Sequence, residues 1–249
     1  MTDAVRSEWI KLRTARSNLV LLILAATVPV ALTLLLTITI PVTDLDGTDL
    51  FGLLLAGAHI GYILLGVLGV LVIGQEYRHT TIRVTFTADP KRARVMLAKA
   101  IVVAATGLFI GVCTTLLSYV LGNAVFTSRG LDITLEGGIQ TRALAGSILL
   151  FALYGLVGLG LGAIIRATAG AITLLVVWPL IIEPIVGGIF PRVGRWLPFS
   201  AGEQLTSTST TASVDVTDTL SPRAGGLLFA GFMVVVLVIG TLLVMRRDA

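Results

Sequence analysis

Two kinds of residue in this 249-residue sequence have the type and setting to do chemistry: ionisable side chains stranded in apolar runs, and a dense set of charges between two such runs. Glu183 and His59 are the first kind. A charge at the bilayer centre costs about 2.5–3.5 kcal/mol on insertion scales, so an ionisable group kept inside a span marks a candidate site. Glu183 is followed at once by Pro184 near the end of its run, which equally suits a brace for the chain beyond it. His59 equally suits a neutral hydrogen-bonding role between helices. The second kind is the stretch 75–99, with Glu76, Arg78, Arg83, Lys91, Arg92, Arg94 and Lys99. Asp89-Pro90 predicts a helix start there, because Asp caps an N-terminus and Pro suits the first helical position. Upstream, residues 80–86 read in three ways. They form helical turns presenting Ile82 and Phe86 together as a docking knob, or a short strand with Ile82, Val84 and Phe86 alternating, or a solvated basic loop.

Other chemistries are excluded. The only lysines are Lys11, Lys91 and Lys99, and none follows a glycine, so there is no phosphate-binding loop and no Walker-type ATP site. The two histidines, His59 and His79, form no zinc-protease motif, and the single Cys113 permits no intrachain disulfide. No serine, acid and histidine are assembled for an intramembrane enzyme, and no cofactor or metal is expected in this chain. The Gly158, Gly160 and Gly162 string lies in an apolar run with no strand before it, which is the wrong setting for a dinucleotide fingerprint. Gly57/Gly61, Gly107/Gly111 and Gly158/Gly162 instead have the spacing that lets helices approach closely in lipid, here expected within one chain.

The elements that must position these residues follow from composition. Hydrophobic residues make up 55% and charged residues 13% of the chain, against about 25% charged in ordinary globular proteins. Uncharged runs cover residues 17–43, 50–75, 100–128, 143–165 and 224–245, and a sixth, 167–191, contains only Glu183. Each exceeds the roughly 20 residues needed to cross hydrocarbon, and their continuity excludes the alternating strands of a barrel. The fold class is therefore an all-α membrane protein with a single transmembrane domain over 1–249. Its spans are expected at about 17–40, 51–74, 97–122, 143–165, 168–190 and 224–245. The first run is too long for a signal-peptide core and reads as the first span, bent near Pro29.

The basic residues sort by side. Arg6, Lys11, Arg13 and Arg16, the six between spans two and three, Arg166, and Arg246 with Arg247 give 13 on one side against five on the other. This places both termini in the cytoplasm of a multi-pass plasma-membrane protein, and explains the formal charge of +4 without nucleic acid. Residues 1–16 put Val5, Trp9 and Leu12 at helical spacing, as in an amphipathic helix lying at the interface. Between spans five and six, Pro184, Pro191 and Pro198 separate short apolar pieces, read as a re-entrant outer hairpin over 184–205.

Glu76-Tyr77-Arg78, Thr81-Ile82-Arg83, Pro90, Arg92 and Ala98-Lys99 after the second span resemble the pattern of permease subunits of type 2 ATP-binding-cassette (ABC) transporters. Glu8-Trp9-Ile10-Lys11-Leu12-Arg13, Gly160-Leu161-Gly162 with Arg166, and Trp196-Leu197-Pro198 are similar to further parts of that pattern. The resemblance implies half of an ATP-driven exporter, paired with a second permease, identical or related, and with two separate ATPase subunits that bind ATP and magnesium. It further implies a coupling segment over 75–96, in which the stretch 80–86, with Thr81, Ile82 and Phe86, docks on the ATPase and Glu76, Arg78 and Arg83 brace it. By span, it puts His59 and Glu183 near the translocation path or its outer gate. Two rivals stand beside it: an ion-gradient-driven carrier titrating Glu183, and a non-transporting membrane scaffold.

Overall fold

A computed structural model describes residues 1–41, 47–78, 92–131, 138–208 and 220–246, and every element among them is helical. Hydrocarbon offers the backbone no water, so each span must pair its own N–H and C=O groups, which a helix does. The short α1 (Thr2–Thr14) turns at Ala15 into α2 (Arg16–Thr39). The second span is built from α3 (Gly47–Ala56) and α4 (Ala58–Arg78), interrupted at Gly57. There a Cβ would collide with the Pro29 carbonyl of α2, so glycine is what lets the first two spans meet. The third span, α5 (Arg92–Ser128), is longer than the 97–122 expected for it, starting about two turns before the apolar run and ending with it at Ser128. It is followed by α6 (Gly138–Ile165) and α7 (Thr168–Val177). A π-helical turn, Trp178–Ile182, then leads into α8 (Glu183–Ile189). The connection to the last span contains α9 (Pro191–Gly194), α10 (Pro198–Glu203) and a 3₁₀ turn, Gln204–Thr206. The last span is α11 (Pro222–Arg246).

Six helical stretches are thus long and apolar enough to cross a membrane, and they alternate in direction. One face of the bundle collects α1, the end of α4, the starts of α5 and α7 and the end of α11. At this N-terminal face Arg92 donates to the Val244 carbonyl at 3.0 Å, joining α5 to α11. At the opposite face Arg129 donates to the carbonyls of Thr37 (2.6 Å) and Ile40 (3.2 Å), a cationic cap on the C-terminus of α2.

The second and fourth spans form the centre: 61% and 67% of their most apolar stretches are buried, against 11% for the fifth. Their contact is made by absent side chains. A Cβ at Gly158 would overlap the Gly66 carbonyl oxygen, and one at Gly69 would overlap that of Gly155. All six glycines of the three expected small-residue pairs meet neighbours inside this chain. Gly57 and Gly61 face Pro29, Gly107 faces Ala152, Gly111 faces Ile148, Gly158 faces Gly66 and Gly162 faces Ile73. Backbones that approach this closely gain dispersion contacts that lipid cannot replace. An aromatic ladder continues the packing outward, from Tyr62 against Phe151 (4.9 Å between ring centroids) and Tyr154 to Phe199 and Phe229 (5.1 and 5.2 Å from Tyr154). It seats α10 on the second, fourth and sixth spans.

The buried side of α1 is centred on Glu8 and Leu12, with Trp9 and Ile10 exposed. The expected stripe of Val5, Trp9 and Leu12 is therefore rotated so that an acid points inward.

Candidate functional site

The inward turn of α1 exists because of what meets Glu8. Lys99, about two turns into α5 and only 2% exposed, donates to Glu8 Oε2 at 2.6 Å and to Glu76 Oε1 at 2.9 Å. It also lies 3.4 Å from the Val72 carbonyl oxygen. Lys11 donates to Glu8 Oε1 at 2.7 Å and to the same Glu76 Oε1 at 2.8 Å. Two carboxylates and two ammoniums from α1, α4 and α5 thus form one charge-neutral cluster at the N-terminal face.

Removing an ion from water costs several kcal/mol, and the loss is offset only when partners are close and numerous. Here every member has two charged contacts below 3 Å. Burial alone would lower the Lys11 pKa, but the hydrogen bonds and charges of Glu76 and Glu8 outweigh it and hold the ammonium above its ordinary range. One acceptor is left over. Glu76 Oε2 is buried and takes no hydrogen bond, while its twin oxygen serves both lysines.

The cluster stands at the root of the segment expected to couple to a partner. Glu76 lies in the last turn of the helix before it and Lys99 lies in the first turns of the helix after it. Arg78 is the last residue of α4. Thr81, Ile82, Arg83 and Phe86, together with the Asp89-Pro90 helix start, lie outside the described residues. Beside Glu76, the Tyr77 ring carries the Arg166 guanidinium at 5.1 Å. Arg166 adopts φ 59°, a left-handed backbone that closes α6 and starts the two-residue link to α7.

At the opposite face Glu183 is 1% exposed and saturated with donors. Its Oε1 accepts from Trp178 Nε1 (3.0 Å) and the Phe199 N–H (3.1 Å). Its Oε2 accepts from the Ser200 N–H (2.6 Å) and the Ser200 hydroxyl (2.7 Å). The π-helical turn containing Pro179 brings Trp178 onto the side of Glu183, and the two backbone donors belong to the first turn of α10. Glu183 therefore acts as a distant N-cap that fastens the connection between the last two spans to the fifth span. His59, at the first turn of α4, places Nε2 3.6 Å from Glu203 Oε1 at the far end of α10. Both side chains are partly exposed, and the His59 Nδ1 lies 3.2 Å from the Ala56 carbonyl. The two expected path residues are thus joined through one short helix rather than to each other.

Sequence reasoning named Glu76 but not Glu8, Lys11 or Lys99 as site residues, and did not name Glu203. The available signal was Glu8 itself, an acid between Val5 and Leu12 on the helix face that must be buried.

Against this geometry, residues 4–186 match the family model described as ABC-2 family transporter protein. That is well over half of the chain. The chain belongs to the ABC-2 transporter family. Its six apolar helices make it a multi-pass membrane protein, and the family makes it a permease subunit that associates with an ATP-binding subunit. No curated protein matches this ABC-2 permease.

Proposed function

We propose that this ABC-2 permease forms half of the translocation path of an ATP-driven exporter, beside a second permease, identical or related, and two ATPase subunits. ATP and magnesium would bind in those partners, consistent with a sequence that has no phosphate-binding loop. The observation that carries the reading is the family match across 4–186, which takes in the first four spans and the whole stretch between spans two and three. In this reading both termini are cytoplasmic, and residues 75–96 receive the ATPase. Thr81, Ile82, Arg83 and Phe86 make the contact, and Glu76 and Arg78 hold its base. Closure of the ATPases on ATP pushes this segment, rocks the permease halves and opens the path outward. The outer end of the path lies under α10, which Glu183 fastens to the fifth span and Glu203 links to His59.

The test is purification of the chain from its native membranes in mild detergent, with identification of what accompanies it. A stoichiometric soluble ATPase, with one or two permease species, is the expected result. Recovery of the chain alone would overturn the reading. Within an intact complex, Arg83→Ala and Ile82→Ala should separate ATP hydrolysis from transport while leaving the amount of membrane-inserted chain unchanged. Normal coupling in both variants would remove residues 80–86 from the role.

A further inference from the structure

Three features of the N-terminal cluster belong together: two lysines share one oxygen of Glu76, the other oxygen of that carboxylate is buried without a hydrogen bond, and the two lysines differ sharply in exposure to solvent. Lys99 is 2% exposed and has three acceptors on two helices, Glu8, Glu76 and the Val72 carbonyl. Lys11 is on α1, which is short, and 43% of its side chain is exposed to solvent. A buried carboxylate oxygen without a donor is a cost that a rearrangement can relieve. Packed interiors change between discrete arrangements rather than by continuous deformation, so such a cluster is suited to two positions.

We propose that Glu8, Lys11, Glu76 and Lys99 form a two-position clasp in which Lys99 is the fixed strut and Lys11 the moving latch. In the arrangement seen here Lys11 closes α1 onto the end of α4. In the other, its ammonium leaves Glu76 Oε1 for solvent but stays beside Glu8 on the same helix, Lys99 keeps its hydrogen bonds to both carboxylates, and α1 is released from α4 while α4 and α5 stay joined. The long Lys11 stem and its access to water make this the inexpensive contact to break, because its charge is rehydrated on leaving. Lys99 has no such escape, so breaking its contacts would leave a buried ammonium unpaired and only Lys11 to balance Glu8 and Glu76. The clasp regulates the coupling step of the proposed function and rests on that reading. When the stretch between α4 and α5 is pushed, the load reaches Glu76 directly, and the latch decides whether α1, and the first span behind it, follows.

The experiment is hydrogen–deuterium exchange on the whole transporter, permease with its ATPase, in lipid nanodiscs, without nucleotide and trapped with ATP and vanadate. In the unaltered chain, trapping should raise exchange over 2–14 by on the order of tenfold and leave the first turns of α5 protected. Lys11→Met should give fast exchange over 2–14 in both states, and Lys11→Arg should restore the nucleotide dependence. A passive structural contact would lose protection in Lys11→Met without any nucleotide dependence in the parent. Equal exchange over 2–14 in the two states, with residues 79–91 still responding, would overturn the clasp and leave the coupling reading standing. A Lys11→Met variant with the parent's nucleotide response would also overturn it. If residues 79–91 do not respond either, the coupling reading fails and the clasp fails with it.

Discussion

At the N-terminal face Glu76 shares one oxygen between two ammoniums from different helices and leaves the other empty, whereas at the opposite face Glu183 divides four donors evenly between its two oxygens. Both carboxylates are buried, so burial alone does not distinguish them. The donors do. Those of Glu183 are two backbone N–H groups, an indole and a hydroxyl, all fixed by short stretches of chain within 17 residues. Those of Glu76 ride on long flexible stems from residues 65 and 23 positions away. A carboxylate held by rigid local donors makes a permanent joint. One held by remote charged side chains makes a joint that can be undone and remade, which is what the proposed clasp requires.

The contrast breaks most visibly at Lys99. Lys99→Met leaves two buried carboxylates sharing the single ammonium of Lys11 and should cost about 3–5 kcal/mol, the range for breaking a buried ion pair from one side. Thermal unfolding in detergent and the amount of folded chain in membranes would show it. A loss no greater than that of Lys11→Met would mean that the two lysines are equivalent. Next comes Glu183→Ala, which removes every acceptor at once and leaves the Phe199 and Ser200 N–H groups buried and unpaired. A cost of about 2–3 kcal/mol is expected, with early proteolysis between 190 and 206, while the N-terminal face stays intact. Glu183→Gln keeps an acceptor and should lose less. Cleavage in this region that is as slow as in the parent would show that the aromatic ladder alone seats α10.

Glu76→Gln sharpens the comparison at about 1–2 kcal/mol, because the amide oxygen can still accept from both lysines while the negative charge that balances them is gone. The smallest effect concerns pH. The Lys11 pKa is raised above 10.5, so its stabilising contribution is complete below that value and disappears as pH rises through the higher folded value. Alkaline titration should therefore loosen α1 before α10, as followed by exchange rates at the two ends. Simultaneous loosening would remove the distinction.

Much of the scaffold was readable from run lengths alone, because a span needs only apolar continuity and six such runs were present. The interruption at Gly57 and the π-helical turn were not, since both depend on a neighbouring helix or on proline geometry inside an otherwise uniform run. Of the candidate residues, Glu183 stood out as an acid in a span, but its partners lie in a different helix and could not be inferred from spacing. The clasp was invisible as a unit for the same reason: Glu8 and Lys99 are 91 residues apart, and each looks like an ordinary interfacial charge until α1 is folded against α5. Trp9 misled in the opposite direction, because its apolar character suggested burial on the stripe that Glu8 occupies.

The left-handed Arg166 has a consequence for how the chain enters the bilayer. With only two residues between α6 and α7, the fifth span has no freedom to choose its direction: once the fourth is placed, the fifth must return as the second arm of a hairpin. Arg192, Arg195 and Arg223, which follow that span, would by charge bias alone favour the side on which Arg166 lies. In the folded chain the tight reversal at Arg166 nevertheless sets them at the opposite face. The least buried span in the bundle thus takes its direction from a two-residue link rather than from its own packing.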